Sequence, residues 1–238
     1  MHLNCVEFQP SKYPTHDYYP FNLNIFRNSS EISFDQPVTF FIGENGAGKT
    51  TLLRALCMKC GIHIWEEMER LRVHHNPYQN KLYTALKIQW KRGAVPGSFF
   101  SSQMFRYFSE ILDEWASSDP GLLDYFGGKS LLTQSHGQSL VSFFRARYKV
   151  KGLYLLDEPE TALSPKSQIE LLQLLTKYSG EGKTQFIIAT HSPILLACPN
   201  AQIYNFDAHR ITPIEYEDTE YYQFYRSFLL NRDQYLNI

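Results

Sequence analysis

The sequence lacks the features that mark membrane, secreted or disulfide-stabilised proteins. No apolar run approaches the roughly 20 residues that a membrane-spanning helix requires. The first residues do not show the basic and then apolar layout of a signal peptide. Four cysteines in 238 residues are too few for a disulfide scaffold, which favours a reducing, cytoplasmic location.

The chain also has almost no net charge and no repeated segments. The 23 basic and 24 acidic side chains give a formal net charge of −1, so the chain as a whole has no strong attraction for nucleic acid or anionic lipid. We find no internal repeat and no low-complexity linker. Hydrophobic residues make up 43% of the chain, which is enough for a sizeable core, and the length predicts one domain over residues 1–238.

Apolar periodicity predicts strands that alternate with helices. The predicted strands are Val38–Ile42, a possible edge strand within Lys81–Trp90, one ending at Phe99-Phe100, Leu153–Leu156, Phe186–Ala189, and a hairpin of Ile203–Phe206 and Ile211–Tyr216. The predicted helices are Thr50–Met58, Gln103–Trp115, Gln138–Lys149, Pro165–Tyr178 with Ser164 as its N-cap, and Tyr222–Leu230. This order predicts an α/β layered fold with a helical subdomain inserted at about residues 103–149.

A glycine-rich segment lies between the strand Val38–Ile42 and the helix after it. Residues 43–50 match the pattern G-x-x-x-x-G-K-[ST] in full. Glycines let successive backbone N–H groups face phosphate oxygens, and the helix that follows adds the positive end of its dipole. Lys49 is expected to reach the β- and γ-phosphates of ATP, and the Thr50 hydroxyl to coordinate Mg²⁺. The predicted nucleotide-binding residues of this loop are Gly43, Glu44, Asn45, Gly46, Ala47, Gly48, Lys49, Thr50 and Thr51.

Two acids follow the strand Leu153–Leu156. Asp157 and Glu158 are predicted to lie at its carboxyl end, where an acid can sit beside the phosphate loop of a neighbouring parallel strand. There Asp157 would hold Mg²⁺, and Glu158 would orient and deprotonate an attacking water. The alternative interpretation is a solvated Asp-Glu turn before Pro159.

With both motifs in place, the chain resembles the ABC-type ATPases, and within them the soluble branch that includes OLD-family, chromosome-maintenance and recombination-repair ATPases. Residues 156–165 are similar to the segment that joins the acid pair to the dimer-contacting D-loop, although Ser164 stands where transporter members carry Asp. The resemblance covers roughly residues 38–206. It implies a P-loop NTPase fold, an ABC-type ATPase head with a mostly parallel sheet core, an antiparallel edge sheet and a helical subdomain.

The resemblance also implies a function for two further residues. His191 follows the strand Phe186–Ala189 at the position of the family's switch histidine, which contacts the γ-phosphate. Gln103 matches the Q-loop position, where a side-chain oxygen contacts Mg²⁺ and the attacking water. A surface glutamine is the alternative for Gln103.

Residues 134–138 resemble the family's signature segment. They match it at Ser135, Gly137 and Gln138, and depart from it at Gln134 and His136. In the family, the Ser hydroxyl and Gly N–H clamp the nucleotide that the other subunit holds. A simple N-cap for the following helix is the alternative.

The resemblance implies a switch that hydrolyses ATP with Mg²⁺ in an ATP-sandwiched, head-to-tail homodimer. Its partner would be a protein, such as an effector or nuclease in phage defence or a DNA-repair assembly, and not a membrane. One alternative is a DNA-binding clamp with a regulatory ATP site, which the near-neutral charge disfavours. Another is the ATPase subunit of a membrane transporter, which the departures at His136 and Ser164 disfavour.

Overall fold

The chain forms nine β-strands and eight α-helices within residues 1–64, 76–126, 130 and 136–236, which the computed structural model describes. The strands are β1 (Leu3–Phe8), β2 (Glu31–Ser33), β3 (Val38–Ile42), β4 (Leu86–Trp90), β5 (Gly97–Ser101), β6 (Gly152–Asp157), β7 (Thr184–Ala189), β8 (Gln202–Asn205) and β9 (Thr212–Pro213). The helices are α1 (Asn24–Asn28), α2 (Lys49–Cys60), α3 (Ser102–Ser118), α4 (His136–Arg147), α5 (Pro165–Gly180), α6 (Pro193–Leu196), α7 (Glu220–Leu230) and α8 (Arg232–Leu236).

A six-stranded sheet in the order β5-β6-β7-β3-β8-β9 forms the centre of the fold. Every neighbouring pair is parallel except β8 and β9, which form the predicted terminal hairpin with a second strand of only two residues. The three apolar strands predicted from the sequence are confirmed as β3, β6 and β7.

The strand that carries the acid pair is not the direct neighbour of the phosphate-loop strand. The sequence predicts an acid on a strand next to β3, whereas β7 lies between β6 and β3. Because all three strands are parallel, their carboxyl ends meet at one edge of the sheet. The residues that follow β7 therefore lie between the phosphate loop and the acid pair.

A second, antiparallel sheet has the order β2-β1-β4 and confirms the expected edge sheet. The prediction of a strand within Lys81–Trp90 is only half right, because residues Leu82–Ala85 form a 3₁₀ turn and the strand begins at Leu86. Leu82 and Ala85 are both buried, and a 3₁₀ turn brings side chains three residues apart onto the same side.

The core consists of two apolar layers, one on each face of the six-stranded sheet. Along β6, Leu153 and Leu155 face one layer, while Tyr154 and Leu156 face the other. Helix α2 supplies Leu52, Leu53 and Leu56 to the first layer, and α4 and α5 pack in the second. Burial on both faces explains why the central strands are continuously apolar and do not alternate.

The predicted helices are confirmed, with ends that differ by a few residues. Ser164 caps α5 as expected, because its hydroxyl accepts a 3.2 Å hydrogen bond from the N–H of Ser167. Helix α7 begins two residues earlier than predicted, at Glu220, because the Thr219 hydroxyl caps it. Among the described residues, no helix has both the length and the apolar character needed to cross a membrane.

Candidate functional site

The segment between β3 and α2 has the backbone of a ligand-binding loop. Gly43, Gly46 and Gly48 have φ angles of 142°, 86° and 103°, which L-residues with a side chain rarely adopt. A Cβ on Gly48 would also lie 2.8 Å from the Phe26 ring, so glycine is required there on two counts. The loop leads directly into α2, whose first N–H groups have no partners within the helix. This cradle of backbone donors fits an anion such as a phosphate chain.

Lys49 is buried inside this loop. Only 4% of it is exposed, and its Nζ donates hydrogen bonds of 2.6 Å to the carbonyl of Gly43 and 3.0 Å to that of Glu44. Burial lowers the pKa of Lys49, whereas nearby carboxylates, Glu158 first among them, oppose the shift. The ammonium group thus lies within the loop, where it can exchange carbonyl partners for phosphate oxygens.

The next residue connects the loop to the acid pair. The hydroxyl of Thr50 donates a 2.9 Å hydrogen bond to Oδ1 of Asp157 at the end of β6. Burial raises the pKa of Asp157 to about 6, although the bond from Thr50 opposes the shift. A half-buried carboxylate beside a threonine hydroxyl is a donor set that suits Mg²⁺, which takes few protein ligands and completes its shell with phosphate and water. No group of three or more His, Cys, Asp or Glu in the described residues could hold a metal by itself.

Glu158 and His191 meet on the other side of the loop. His191 Nε2 lies 3.3 Å from Oε1 of Glu158. This nitrogen is buried and makes no hydrogen bond of good geometry with the described residues, so it is available to a ligand. Burial lowers the pKa of His191, Lys49 lowers it further, and Glu158 opposes the shift. Glu158 has a φ of 45°, and strained conformations of non-glycine residues are concentrated at functional sites.

Lys49, Thr50 and Glu158 border a cavity of about 480 Å³, whereas Asp157 and His191 lie beside it and do not line it. Its phosphate end is formed by the glycine loop with Lys49, Thr50 and Glu158. The cavity is also lined by Tyr19, Arg54, Met58, Gln79, Asn80 and Leu82. The volume falls in the range of small-ligand sites.

The remaining predicted residues are not brought into this cavity. Gln103 is in the first turn of α3, at the same edge of the sheet, but its side chain lies outside the described residues, as does all of Ser135. Gly137 is in the first turn of α4 and does not line the cavity. A Cβ on Gly137 would lie 3.1 Å from the Ser167 hydroxyl, near the start of α5.

Three residues that support the site were not identified from the sequence. Oδ1 of Asp207 accepts a 2.8 Å hydrogen bond from the N–H of Glu44 in the loop. Oε1 of Glu160 accepts a 2.6 Å bond from the N–H of His191, and the Tyr221 hydroxyl contacts the His191 ring. Asp207 closely follows the carboxyl end of a strand, which was a usable signal. Tyr221 belongs to a helix with no motif, so the sequence offered no signal for it.

Two family models and several ATP-binding proteins match parts of the chain. Residues 138–197 match the family described as "AAA domain, putative AbiEii toxin, Type IV TA system", and residues 21–67 match a second family described as "AAA domain". The thiamine import ATP-binding protein ThiQ of Haemophilus influenzae is 28% identical over 164 residues, which is 64% of this chain and 74% of that protein. The macrolide export ATP-binding/permease protein MacB of Psychrobacter cryohalolentis is 28% identical over 191 residues, or 74% of this chain and 29% of that protein.

Solved structures share the fold. A nucleotide-free ATP-binding cassette from an ABC transporter aligns with a TM-score of 0.54 at 12% identity, over 89% of this chain and 90% of that one. The ADP conformation of the ATP-binding cassette MJ1267 aligns with a TM-score of 0.51 at 15% identity, over 89% and 90%. The chain has the P-loop NTPase fold and is similar to ATP-binding proteins of the ABC type.

Proposed function

We propose that the protein is an ATP-hydrolysing switch in which two copies enclose ATP head-to-tail and thereby control a partner protein. The main support for this proposal is that His191 Nε2 lies 3.3 Å from Oε1 of Glu158, beside the glycine loop. A carboxylate that can act as a base and an imidazole that can contact phosphate are the two groups that hydrolysis requires besides the loop itself.

In this proposal the loop residues 43–51 hold the phosphate chain. The N–H groups of the loop face the phosphate oxygens, and Lys49 leaves the carbonyls of Gly43 and Glu44 to neutralise the β- and γ-phosphates. Thr50 and Asp157 would hold Mg²⁺, with Gln103 as a further ligand. The metal, when bound, would neutralise negative charge on the phosphate oxygens.

Glu158 is the proposed general base. It orients a water molecule towards the γ-phosphorus and accepts its proton as the bond between the γ-phosphorus and the departing ADP breaks. His191 donates from Nε2 to the γ-phosphate oxygens and so stabilises the charge that builds up on them. This nitrogen is buried and lies beside Glu158 without a hydrogen bond of good geometry, which supports that role.

The second copy of the chain completes the site. Ser135 and Gly137 of one copy would contact the γ-phosphate held by the loop of the other. Gly137 is in the first turn of α4, where backbone N–H groups without partners in the helix can contact an anion, which supports this role. The unit that dimerises would be one ABC-type domain, residues 1–238, with the helical subdomain at about 103–149.

The partner is proposed to be a protein effector or nuclease, as in phage defence, or a DNA-repair assembly. The matched family description names a toxin of a Type IV TA system, which favours an effector system. The proposal includes a cytoplasmic setting, which the four free cysteines favour.

A second candidate function is the ATPase subunit of a transporter. The relatives named as thiamine import and macrolide export proteins favour it. Co-purification of the native protein with an integral membrane protein would support this candidate, and co-purification with a nuclease or toxin would support the first.

Turnover of wild type and Glu158→Gln tests the catalytic part of the proposal. The variant retains a similar shape but cannot accept a proton, so it should bind ATP with wild-type affinity and hydrolyse it at least 100-fold more slowly, the lower end of general-base contributions of roughly 10²–10⁴. Glu170→Gln, at a half-buried position of α5, is a matched control and should hydrolyse normally. Equal turnover of wild type and Glu158→Gln would remove Glu158 from this role.

A further inference from the structure

A tyrosine from the C-terminal region reaches the centre of the site. Tyr221 is on α7, a helix of 11 residues none of which is fully buried. Its hydroxyl lies 2.7 Å from Nδ1 of His191 and 3.0 Å from the carbonyl oxygen of Gly43. The two rings meet edge to face, with centroids 5.3 Å apart and planes at 84°. One side chain thus touches both the first residue of the glycine loop and the histidine opposite it.

The Tyr221 hydroxyl has one proton for two possible acceptors. The Gly43 carbonyl has two lone pairs, so it can accept from Tyr221 beside its 2.6 Å bond from Lys49. The contact of the hydroxyl with Nδ1 of His191 is the shorter of the two. This shorter distance favours donation from Tyr221 to Nδ1, which requires that Nδ1 carry no proton.

The contact of the second ring nitrogen, Nε2, favours the same placement of the proton. Nε2 of His191 faces a carboxylate oxygen of Glu158 at 3.3 Å. An ionised carboxylate only accepts hydrogen bonds, so Nε2 must carry the proton if the contact is to be favourable. The groups on either side of the ring therefore select one tautomer, in which Nδ1 accepts and Nε2 donates.

We propose that Tyr221 is a positioning residue, whose hydroxyl holds His191 in the Nε2–H tautomer and in the orientation that presents this N–H to the terminal phosphate of ATP. The inference rests on the proposed role of His191 and adds a residue outside every motif of the sequence. In a neutral imidazole either nitrogen can carry the proton, and only protonation at Nε2 places a donor towards the phosphate. A hydrogen-bond donor at Nδ1, such as the Tyr221 hydroxyl, favours that tautomer. The lowered pKa of His191, due first to burial and then to Lys49, keeps the neutral form populated.

The tautomer can be measured without nucleotide. Nitrogen chemical shifts of ¹⁵N-histidine-labelled protein distinguish protonated from unprotonated ring nitrogens, and His191→Ala identifies the signals. Wild type should show an unprotonated Nδ1 and a protonated Nε2 at pH 8. Tyr221→Phe keeps the ring but removes the hydroxyl, and should shift His191 towards a mixture of tautomers. Tyr222→Phe, whose ring packs on Tyr216 with centroids 4.7 Å apart, is the matched control and should leave the shifts unchanged.

Turnover provides a second, independent readout. Tyr221→Phe should lower kcat roughly three- to tenfold, as expected for one lost hydrogen bond, and leave KM for ATP unchanged. In a His191→Ala background the same substitution should cause no further loss, because Tyr221 acts through His191.

The results that overturn the inference differ from those that overturn the proposed function. An unchanged tautomer in Tyr221→Phe, or an equal loss of kcat in the presence and absence of the His191 side chain, contradicts the role of Tyr221. Wild-type turnover in His191→Ala contradicts the proposed role of His191, while the tautomer measurement still decides whether Tyr221 selects the tautomer.

Discussion

The hydroxyl of Thr50 donates a 2.9 Å hydrogen bond to Oδ1 of Asp157, which joins the first turn of α2 to the carboxyl end of β6. The two residues are 107 positions apart, and both are proposed to hold the same cation. Thr50→Ala removes one of the proposed ligands of this cation. The variant should lower Mg²⁺-dependent turnover by roughly 10- to 100-fold, which is the loss of activity usual when a metal site is disturbed. ATPase assays over a Mg²⁺ titration measure this. Thr176→Ala on α5 is the control, and an equal loss in both variants would contradict the assignment.

The raised pKa of Asp157 predicts a stability that depends on pH. The pKa rises from 3.8 in the unfolded chain to about 6 in the fold because of burial. Between these values the folded state binds more protons, so the contribution of Asp157 to the free energy of unfolding falls as pH rises and is constant above about pH 6. A shift of about two units corresponds to roughly 3 kcal/mol.

Asp157→Asn tests this relationship. Without nucleotide or Mg²⁺, the variant should unfold at a higher temperature than wild type at pH 7.5, and this advantage should shrink as the pH falls towards 4. Thermal unfolding across this range measures it, and Asp233→Asn on the exposed surface of α8 should track wild type. A constant difference at every pH would show that Asp157 does not titrate as described.

Gly48 combines a positive φ with a close neighbour. Gly182 has a φ of 70° and free space around a Cβ, so Gly182→Ala should cost only the backbone strain, roughly 1–2 kcal/mol. Gly48→Ala adds a 2.8 Å contact with the Phe26 ring and should be more destabilising. Urea unfolding of both variants compares them. Equal free energies of unfolding would mean that the Phe26 ring can move away from the new Cβ without loss of stability.

Asp207 supports the loop through one backbone hydrogen bond. Asp207→Ala leaves the N–H of Glu44 without its 2.8 Å partner and should raise KM for ATP roughly three- to tenfold. Asp207→Asn retains the oxygen that accepts this bond and should be closer to wild type. Steady-state kinetics of the two variants test this, and a larger effect of Asn than of Ala would contradict the role of the hydrogen bond.

The parts of the site that could be predicted are those encoded over short stretches of chain. The glycine loop matches a pattern of backbone conformations that few residues other than glycine adopt, and it leads from a strand into a helix as required. The acid pair follows an apolar strand, and parallel strands bring their carboxyl ends together, so contact between Thr50 and Asp157 was foreseeable.

The parts that could not be predicted depend on tertiary packing. Asp207 and Tyr221 contact the loop from 163 and 178 residues away, and only Asp207, which closely follows a strand, has a local signal. The position of β7 between β3 and β6 is a property of strand order, which periodicity does not reveal. The 3₁₀ turn at Leu82–Ala85 was missed because its buried positions resemble those of a short strand.

ATP binding is proposed to join two copies of the chain. Light scattering during size-exclusion chromatography of Glu158→Gln, with saturating ATP and Mg²⁺, can test this. We expect twice the monomer mass with ATP, and the monomer mass both with ADP and for a variant that also carries Lys49→Ala. A monomer in the presence of bound ATP would contradict it.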